Sequence, residues 1–180
     1  HHQFDNAALA IAAVRHFRLA VSEAQIAEGL RTVTWPARIQ PLQGRLRGIL
    51  PNASELWLDG AHNAHGAAAL ALSLEEMNAA RPKPLILIVG MMNTREPGDF
   101  LAPFVPMAPR VLTLTIPGEP NAHPARSIAA AATGAGLSAR THRSIEAALH
   151  AAATDGARVV ICGSLYLGGD VLARNGTPPE

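Results

Sequence analysis

The stretch WLDGAHNAHGAAAL, residues 57–70, concentrates polar side chains of the kinds that bind ligands. An apolar run ends at Asp59, a turn of small residues follows, and His62 and Asn63 precede an alanine-rich run that predicts a helix. Because amides at a helix N-terminus favour anions, the pattern brings a carboxylate, an imidazole and an amide to an anion-binding position. Asp59 could accept both hydrogen bonds from a ribose diol there. The alternative is that Asp59 and Asn63 only cap the helix.

The spacing of His62 and His65, with Asp59 three residues before His62, also raises the question of a metal site. Zinc sites need three or four ligands, and no cysteine or glutamate cluster completes this set, so we expect no metal. The other scattered histidines are expected to be surface or capping residues: His16, His123, His142 and His150.

Two further side chains are candidates for ligand contact. Arg38 follows the pair Trp35-Pro36, and it could bind a ligand phosphate between two domains or remain a solvated loop cation. Ser164 follows an apolar run at an expected helix start, so its hydroxyl could contact a ligand or cap the helix. It does not lie in a G-x-S-x-G pattern, and a nucleophile elbow is therefore not indicated.

Two phosphate-binding patterns are absent from the sequence. It contains no G-x-x-x-x-G-K-[ST] and no G-x-G-x-x-G. If this protein handles ATP, another segment must supply the phosphate-binding loop.

Short apolar runs alternate with alanine-rich segments after Pro36, which predicts alternating strands and helices. Expected strands cover residues 46–50, 55–58, 85–89, 111–116 and 159–162, and expected helices cover 66–80, 100–105, 125–132, 145–154 and 165–174. The order favours an α/β fold: a Rossmann-like, doubly wound, mostly parallel sheet with helices on both faces and ligands at the carboxyl ends of its strands.

The pattern of the first 33 residues predicts helices that belong to a segment separate from the α/β domain. Asp5 is the expected N-cap of a helix over 6–17, and Ser22 with Gln25 has the capping-box spacing for a helix over 23–29. Trp35-Pro36 breaks helical structure and marks a boundary. We expect a helical segment over 1–33, an α/β domain over 34–176 and a tail over 177–180.

The composition excludes several classes of protein. Fifteen basic and fourteen acidic residues give a net charge of +1, which provides no basic face for nucleic acid. An apolar fraction of 48% argues against disorder, and no apolar run is long enough to cross a membrane. The single cysteine, Cys162, allows no internal disulfide, which favours a cytoplasmic location.

Six blocks carry a family resemblance, in this order along the chain: HHQFDNAALA, TWPARIQ, LDGAHNAHGA, PLILIVGMM, TIPGEPNA and ICGSLYLGG. Together they closely resemble the carboxyl-terminal part of the folylpolyglutamate synthase / dihydrofolate synthase family of the Mur ligase superfamily. The resemblance implies a carboxyl-terminal Mur ligase domain preceded by the helical end of a central domain. Enzymes of this family join L-glutamate to a folate or dihydropteroate carboxylate, using ATP to form an acyl phosphate.

The resemblance also implies roles for individual residues. Asn6 would contact adenine, Arg38 the phosphates and Asp59 the ribose, with Asn63 in the same nucleotide-binding set. His62 and Ser164 would face the phosphate or glutamate side, and His62 and Arg38 would act in catalysis. The phosphate loop and most Mg²⁺ ligands would lie in amino-terminal and central regions, against which this domain would pack, so this chain alone is expected to be inactive.

The sequence departs from the family pattern at three places. Ala37 replaces a common glycine, Ala64 replaces a common proline, and residues 93–96 replace an acid-Lys-Asp run, which leaves Arg95 as the basic residue of that loop. Two alternatives stay open: the domain of another Mur-type amide ligase, or a nucleotide-binding module without catalysis. The pterin pocket lies outside this chain, so addition of the first glutamate, of later ones, or of both stays open as well.

Overall fold

The computed structural model describes residues 2–33 and 35–177. The chain divides into two compact units, His1–Trp35 and Pro36–Glu180.

The first unit consists of two helices, α1 (His2–His16) and α2 (Glu23–Thr32). The predicted capping box is confirmed, because the Ser22 hydroxyl accepts from the Gln25 amide at 3.2 Å and the Gln25 side chain accepts from the Ser22 amide at 2.8 Å. Two expected boundaries are wrong. Helix α1 begins before Asp5, so Asp5 is not its N-cap, and α2 continues beyond Gly29, whose carbonyl accepts from the Val33 amide.

The second unit is built on a six-stranded sheet with the order β1-β2-β6-β3-β4-β5. The strands are β1 (Gln40–Pro41), β2 (Glu55–Leu58), β3 (Leu85–Val89), β4 (Arg110–Thr113), β5 (Ala139–Thr141) and β6 (Arg158–Cys162). Strand β1 pairs antiparallel with β2, and the other four pairings are parallel. Strand β6, last in the chain, therefore lies between β2 and β3.

Five helices connect and follow these strands. They are α3 (Ala64–Ala80), α4 (Pro97–Leu101, continued as a 3₁₀ helix over Ala102–Met107), α5 (Ala125–Gly134), α6 (Ile145–Ala152) and α7 (Leu165–Asn175). Alternate residues of the central strands point to opposite faces, so Ile88 and Ile161 pack with α6 and α7, whereas Leu87 and Val160 pack with α3, α4 and α5. Helices cover both faces, which confirms the predicted doubly wound α/β fold.

One predicted strand is wrong, and two strands were not predicted. Residues 46–50 form no strand; Arg47–Ile49 make a 3₁₀ turn, and the Arg47 guanidinium donates to nearby carbonyls, including that of Ser54 at 2.7 Å. Leu46 and Leu50 are buried, so these apolar residues pack in the core although the segment does not pair with a strand. Strands β1 and β5 were not expected, because two or three residues at a sheet edge carry no continuous apolar run.

No helix among the described residues is long and apolar enough to cross a membrane.

Candidate functional site

The candidate site lies at the carboxyl ends of β2, β6 and β3. Helix α7, which follows β6, covers one face of the sheet, whereas α3 and α4, which follow β2 and β3, cover the other. Neighbouring strands thus continue in opposite directions, which opens a crevice of the kind in which doubly wound proteins bind ligands.

Asp59 is the buried carboxylate of this site, with 8% of its surface exposed. Its amide donates to the Ile161 carbonyl at 2.9 Å and extends the pairing of β2 with β6. Its Oδ1 accepts from the Ala61 amide and its Oδ2 from the Ile39 amide, both at 2.8 Å. These bonds join the turn after β2 to the Arg38 loop, and they show that Asp59 does not act as the N-cap of α3.

Asn63 does act as that N-cap, because its Oδ1 accepts from the Gly66 amide at 2.8 Å. His62 is exposed, and its Nδ1 lies 2.9 Å from the Gly60 carbonyl oxygen. Since a carbonyl only accepts, this contact requires a proton on Nδ1. In the neutral ring Nε2 is then an acceptor, available to a donor on a ligand.

Arg38 is exposed on a loop whose flanking residues are left-handed: φ is 56° at Ala37 and 41° at Ile39. The Ala37 amide donates to the Gln40 side chain at 2.9 Å, and its carbonyl accepts from the Gly60 amide at 2.6 Å. Glycine adopts a positive φ without strain, so the glycine that the resemblance implies at position 37 would fit this backbone.

Ser164 is buried at the start of α7, and its hydroxyl accepts from the Tyr166 amide at 3.1 Å. The preceding amide, of Gly163, donates to the Ala61 carbonyl at 2.9 Å. The turn that carries Ser164 is therefore bonded to the turn that carries Asp59. Ser164 is the N-cap of α7 in this structure. Its hydroxyl lies at the crevice because α7 begins there.

Cys162, at the end of β6, is fully buried. Burial raises the pKa of its thiol well above the ordinary value, and the negative charge of Asp59 raises it further. The thiol is therefore protonated at neutral pH, and it is a packing group rather than a nucleophile.

The loop after β3 carries Arg95, which is exposed. This loop is held by the segment before α5: the Asn93 amide donates to the Asn121 carbonyl at 2.8 Å, and the His123 Nε2 lies 2.9 Å from the Arg95 carbonyl oxygen. A cavity of about 370 Å³ opens between this loop and the start of α3, lined in part by Asn63, His65, Arg95 and Asp99.

The structure thus brings together Asp59, His62, Asn63, Ser164 and the Arg38 loop, all in the second unit. Asn6 lies on α1 in the first unit, where it is exposed. Within the described part of the chain, no group of three or more His, Cys, Asp or Glu side chains is placed to hold a metal ion. Sequence reasoning missed Gln40 and His123 as residues that fix loops of the site.

Solved structures of similar fold include Mycobacterium tuberculosis folylpolyglutamate synthase complexed with ADP and AMPPCP, at 26% identity and a TM-score of 0.77, over 99% of this chain and 41% of that chain. The bifunctional folylpolyglutamate synthase/dihydrofolate synthase from Yersinia pestis CO92 matches at 26% identity and a TM-score of 0.71, over 94% and 38%. E. coli FolC in complex with DHPP and ADP matches at 25% identity and a TM-score of 0.67, over 94% and 38%.

This chain spans about two fifths of the length of these solved proteins. No curated protein matches it. The family model described as dihydrofolate synthetase, C-terminal domain, matches residues 45–174, more than half of the chain; the resemblance is confirmed, and the chain belongs to that family.

Proposed function

We propose that this chain is the nucleotide-binding carboxyl-terminal domain of an ATP-dependent ligase that joins L-glutamate to folate or dihydropteroate through an acyl phosphate. The observation that carries the proposal is the bonding of Asp59 to the Arg38 loop at the crevice. A carboxylate suited to a ribose is thereby hydrogen-bonded to the loop that carries a guanidinium suited to phosphates. Similar solved proteins are complexed with ADP, AMPPCP or AMPPNP.

We propose that Asp59 binds a ribose in addition to the backbone amides that its two oxygens accept. Each carboxylate oxygen has two lone pairs, so a carboxylate can accept hydrogen bonds from both amides and a diol. The two amide bonds also fix the carboxylate in one orientation, which lowers the entropic cost of binding.

Arg38 and His62 are the residues we propose for catalysis. Formation and breakdown of an acyl phosphate concentrate negative charge on phosphate oxygens, to which the Arg38 guanidinium can donate, and the His62 Nε2 can accept a proton from the attacking amine. We assign Ser164 to the glutamate side of the crevice and Asn63 to the nucleotide side. The role of Asn6 toward adenine stays a prediction from the resemblance.

The divalent ion of the reaction requires ligands from elsewhere in the parent protein. A similar Yersinia pestis structure is complexed with AMPPNP and a Mn ion. The described residues of this chain offer no cluster of carboxylates that fits Mg²⁺. We therefore assign the Mg²⁺ ligands and the phosphate loop to amino-terminal and central regions of a cytoplasmic parent, packed against this domain.

The proposal is tested by Asp59→Ala in the full-length parent. Hydrogen bonds to a ribose exist in the ground state and the transition state alike, so we expect a higher KM for ATP, equivalent to about 1.5 to 3 kcal/mol. We expect kcat to fall as well, because Asp59 also holds the loop that carries Arg38. Asp155→Ala is the matched control, because Asp155 is exposed in the loop before the amino end of β6. An unchanged ATP dependence in a folded Asp59→Ala enzyme would contradict the proposal.

A second measurement uses this chain alone. Since it lacks a phosphate-loop motif, we expect neither ATP hydrolysis nor glutamate ligation. ADP release by the purified chain above that of a denatured control would contradict this expectation. A full-length parent that binds ADP but ligates no glutamate would favour the non-catalytic binding module instead.

A further inference from the structure

The backbone around Arg38 has an unusual conformation. Arg38 stands between two non-glycine residues with positive φ, Ala37 at 56° and Ile39 at 41°. Residues with a Cβ rarely adopt a positive φ, and they keep this conformation only where surrounding groups hold the backbone. The direction in which Arg38 leaves the backbone therefore depends on whatever fixes its two neighbours.

Two side-chain oxygens fix these neighbours, one on each side of Arg38. The Gln40 Oε1 accepts from the Ala37 amide at 2.9 Å, and the Asp59 Oδ2 accepts from the Ile39 amide at 2.8 Å. The loop is thus closed by one acceptor before Arg38 and one after it.

One acceptor lies in the sheet, and the other directly follows one of its strands. Gln40 belongs to β1 and pairs with Leu58, the residue that precedes Asp59. Asp59 is anchored beside the sheet by the bond from its amide to the Ile161 carbonyl, so the pairing of β1 with β2 sets the distance between the two acceptors. A loop held in this way has a defined shape before any ligand arrives.

We propose that Gln40 is a positioning residue, which holds the Ala37 amide and thereby presents the Arg38 guanidinium to a phosphate group. The inference rests on the proposed function, since it takes Arg38 as the phosphate ligand. A donor whose backbone is already ordered binds an anion at a lower entropic cost than one on a mobile loop. Loss of the Gln40 acceptor then weakens phosphate binding without removing any group that touches the phosphate.

The first test measures the loop itself, by hydrogen exchange of the Ala37 amide in this chain by NMR. We expect Gln40→Ala to accelerate exchange about fivefold, the effect of one neutral hydrogen bond. Gln40→Glu keeps an acceptor at the same position and should restore the slow exchange. Gln43→Ala is the matched control, because Gln43 is exposed and its side chain lies outside this loop. Unchanged exchange in Gln40→Ala would overturn the inference.

The second test measures binding of ADP to the same variants by calorimetry. We expect Gln40→Ala to weaken ADP binding about fivefold, and to have no further effect when Arg38 is already Ala. An equal loss in the Arg38→Ala background would overturn a role through Arg38. If the unaltered chain binds no ADP, the proposed function of this chain fails, whereas the exchange measurement still decides whether Gln40 holds the loop.

Discussion

Ser164 combines a structural bond with a place at the crevice, and the two roles can be separated. Its hydroxyl caps α7 by accepting from the Tyr166 amide, as the Ser144 hydroxyl caps α6 by accepting from the Ala147 amide. We expect Ser164→Ala and Ser144→Ala each to lower the free energy of unfolding by about 1 kcal/mol, measured by urea denaturation. A Ser164→Ala loss near zero would show that the cap is not formed in solution.

Only the crevice serine should affect glutamate. In the full-length parent, we expect Ser164→Ala to raise KM for glutamate several-fold more than KM for ATP, an effect of about 1 kcal/mol. Ser144→Ala should leave both constants unchanged, since Ser144 follows β5, at the edge of the sheet, three strands away from β6. Equal or ATP-dominated losses in Ser164→Ala would restrict Ser164 to capping.

The roles of individual site residues could be predicted where their hydrogen bonds join residues close together in the sequence. Asn63 as a cap could be read from its position before an alanine-rich run, because a cap involves only the next three residues. The bond from Ile39 to Asp59 spans 20 residues and depends on the pairing of β1 with β2. No local pattern predicts an edge strand of two residues, so the roles of Gln40 and Ile39 required the structure.

At the scale of elements, the turn from β6 to α7 allows only glycine at its first position. Gly163 has a φ of 107°, and a Cβ there would lie 2.6 Å from the Gly90 carbonyl oxygen. We expect Gly163→Ala to lower the free energy of unfolding by about 3 kcal/mol, because strain and a backbone clash add. The measurement is urea denaturation of the purified chain.

Gly169, in α7, gives the matched control. Nothing lies within 4 Å of a Cβ at this position, and the residue is exposed in the helix interior. We expect Gly169→Ala to stabilise the protein by about 0.5 to 1 kcal/mol, since glycine costs conformational entropy in a helix. Similar effects of the two substitutions would contradict the proposed clash at Gly163.

The elements differ in how far the sequence determines them. The buried strands β3 and β6 were predicted because both faces are covered, which demands a continuous apolar run. The segment 46–50 has a similar composition but forms a 3₁₀ turn, because its leucines reach the core from a loop. The apolar composition of residues 46–50 indicates that the segment is buried, but it does not distinguish a buried strand from a buried turn.

At the scale of the molecule, one carboxylate is surrounded by three basic side chains near the amino ends of the strands. Glu55 accepts from Arg158 Nε at 2.9 Å and from Arg81, and Lys83 Nζ lies 3.8 Å away. Arg158 is only 3% exposed, and burial lowers the pKa of its guanidinium. Glu55 therefore neutralises a desolvated cation that lies between three segments of the chain.

We expect Glu55→Gln to lower the free energy of unfolding by about 3 kcal/mol, because it leaves the buried Arg158 charge without a counterion. The control is Asp170→Asn, which removes one of the two carboxylate partners of Arg174 in a partly exposed pair of α7 and should cost less than about 1 kcal/mol. Urea denaturation of both variants measures the difference. Equal losses would show that burial of Arg158 contributes nothing to the strength of this pair.

His142 is expected to make the stability of the molecule depend on pH. Burial lowers its pKa, the positive charges of Arg110 and Arg140 lower it further, and its Nε2 is buried without a hydrogen-bond partner among the described residues. The unfolded chain takes up a proton near the ordinary value of about 6.5, whereas the folded chain takes it up only at lower pH. The contribution of His142 to stability is therefore complete above about pH 6.5 and is lost as pH falls from there toward the lower, folded pKa.

Urea denaturation between about pH 5 and about pH 8 measures this dependence. We expect the free energy of unfolding to fall as the pH decreases below about 6.5. His142→Gln should make this fall with pH less steep, because glutamine does not titrate. His150→Gln is the matched control, since His150 is exposed on α6 and lies eight residues along the chain. If His142→Gln keeps the full slope while His150→Gln removes it, the acid sensitivity of this fold does not originate in the His142 imidazole.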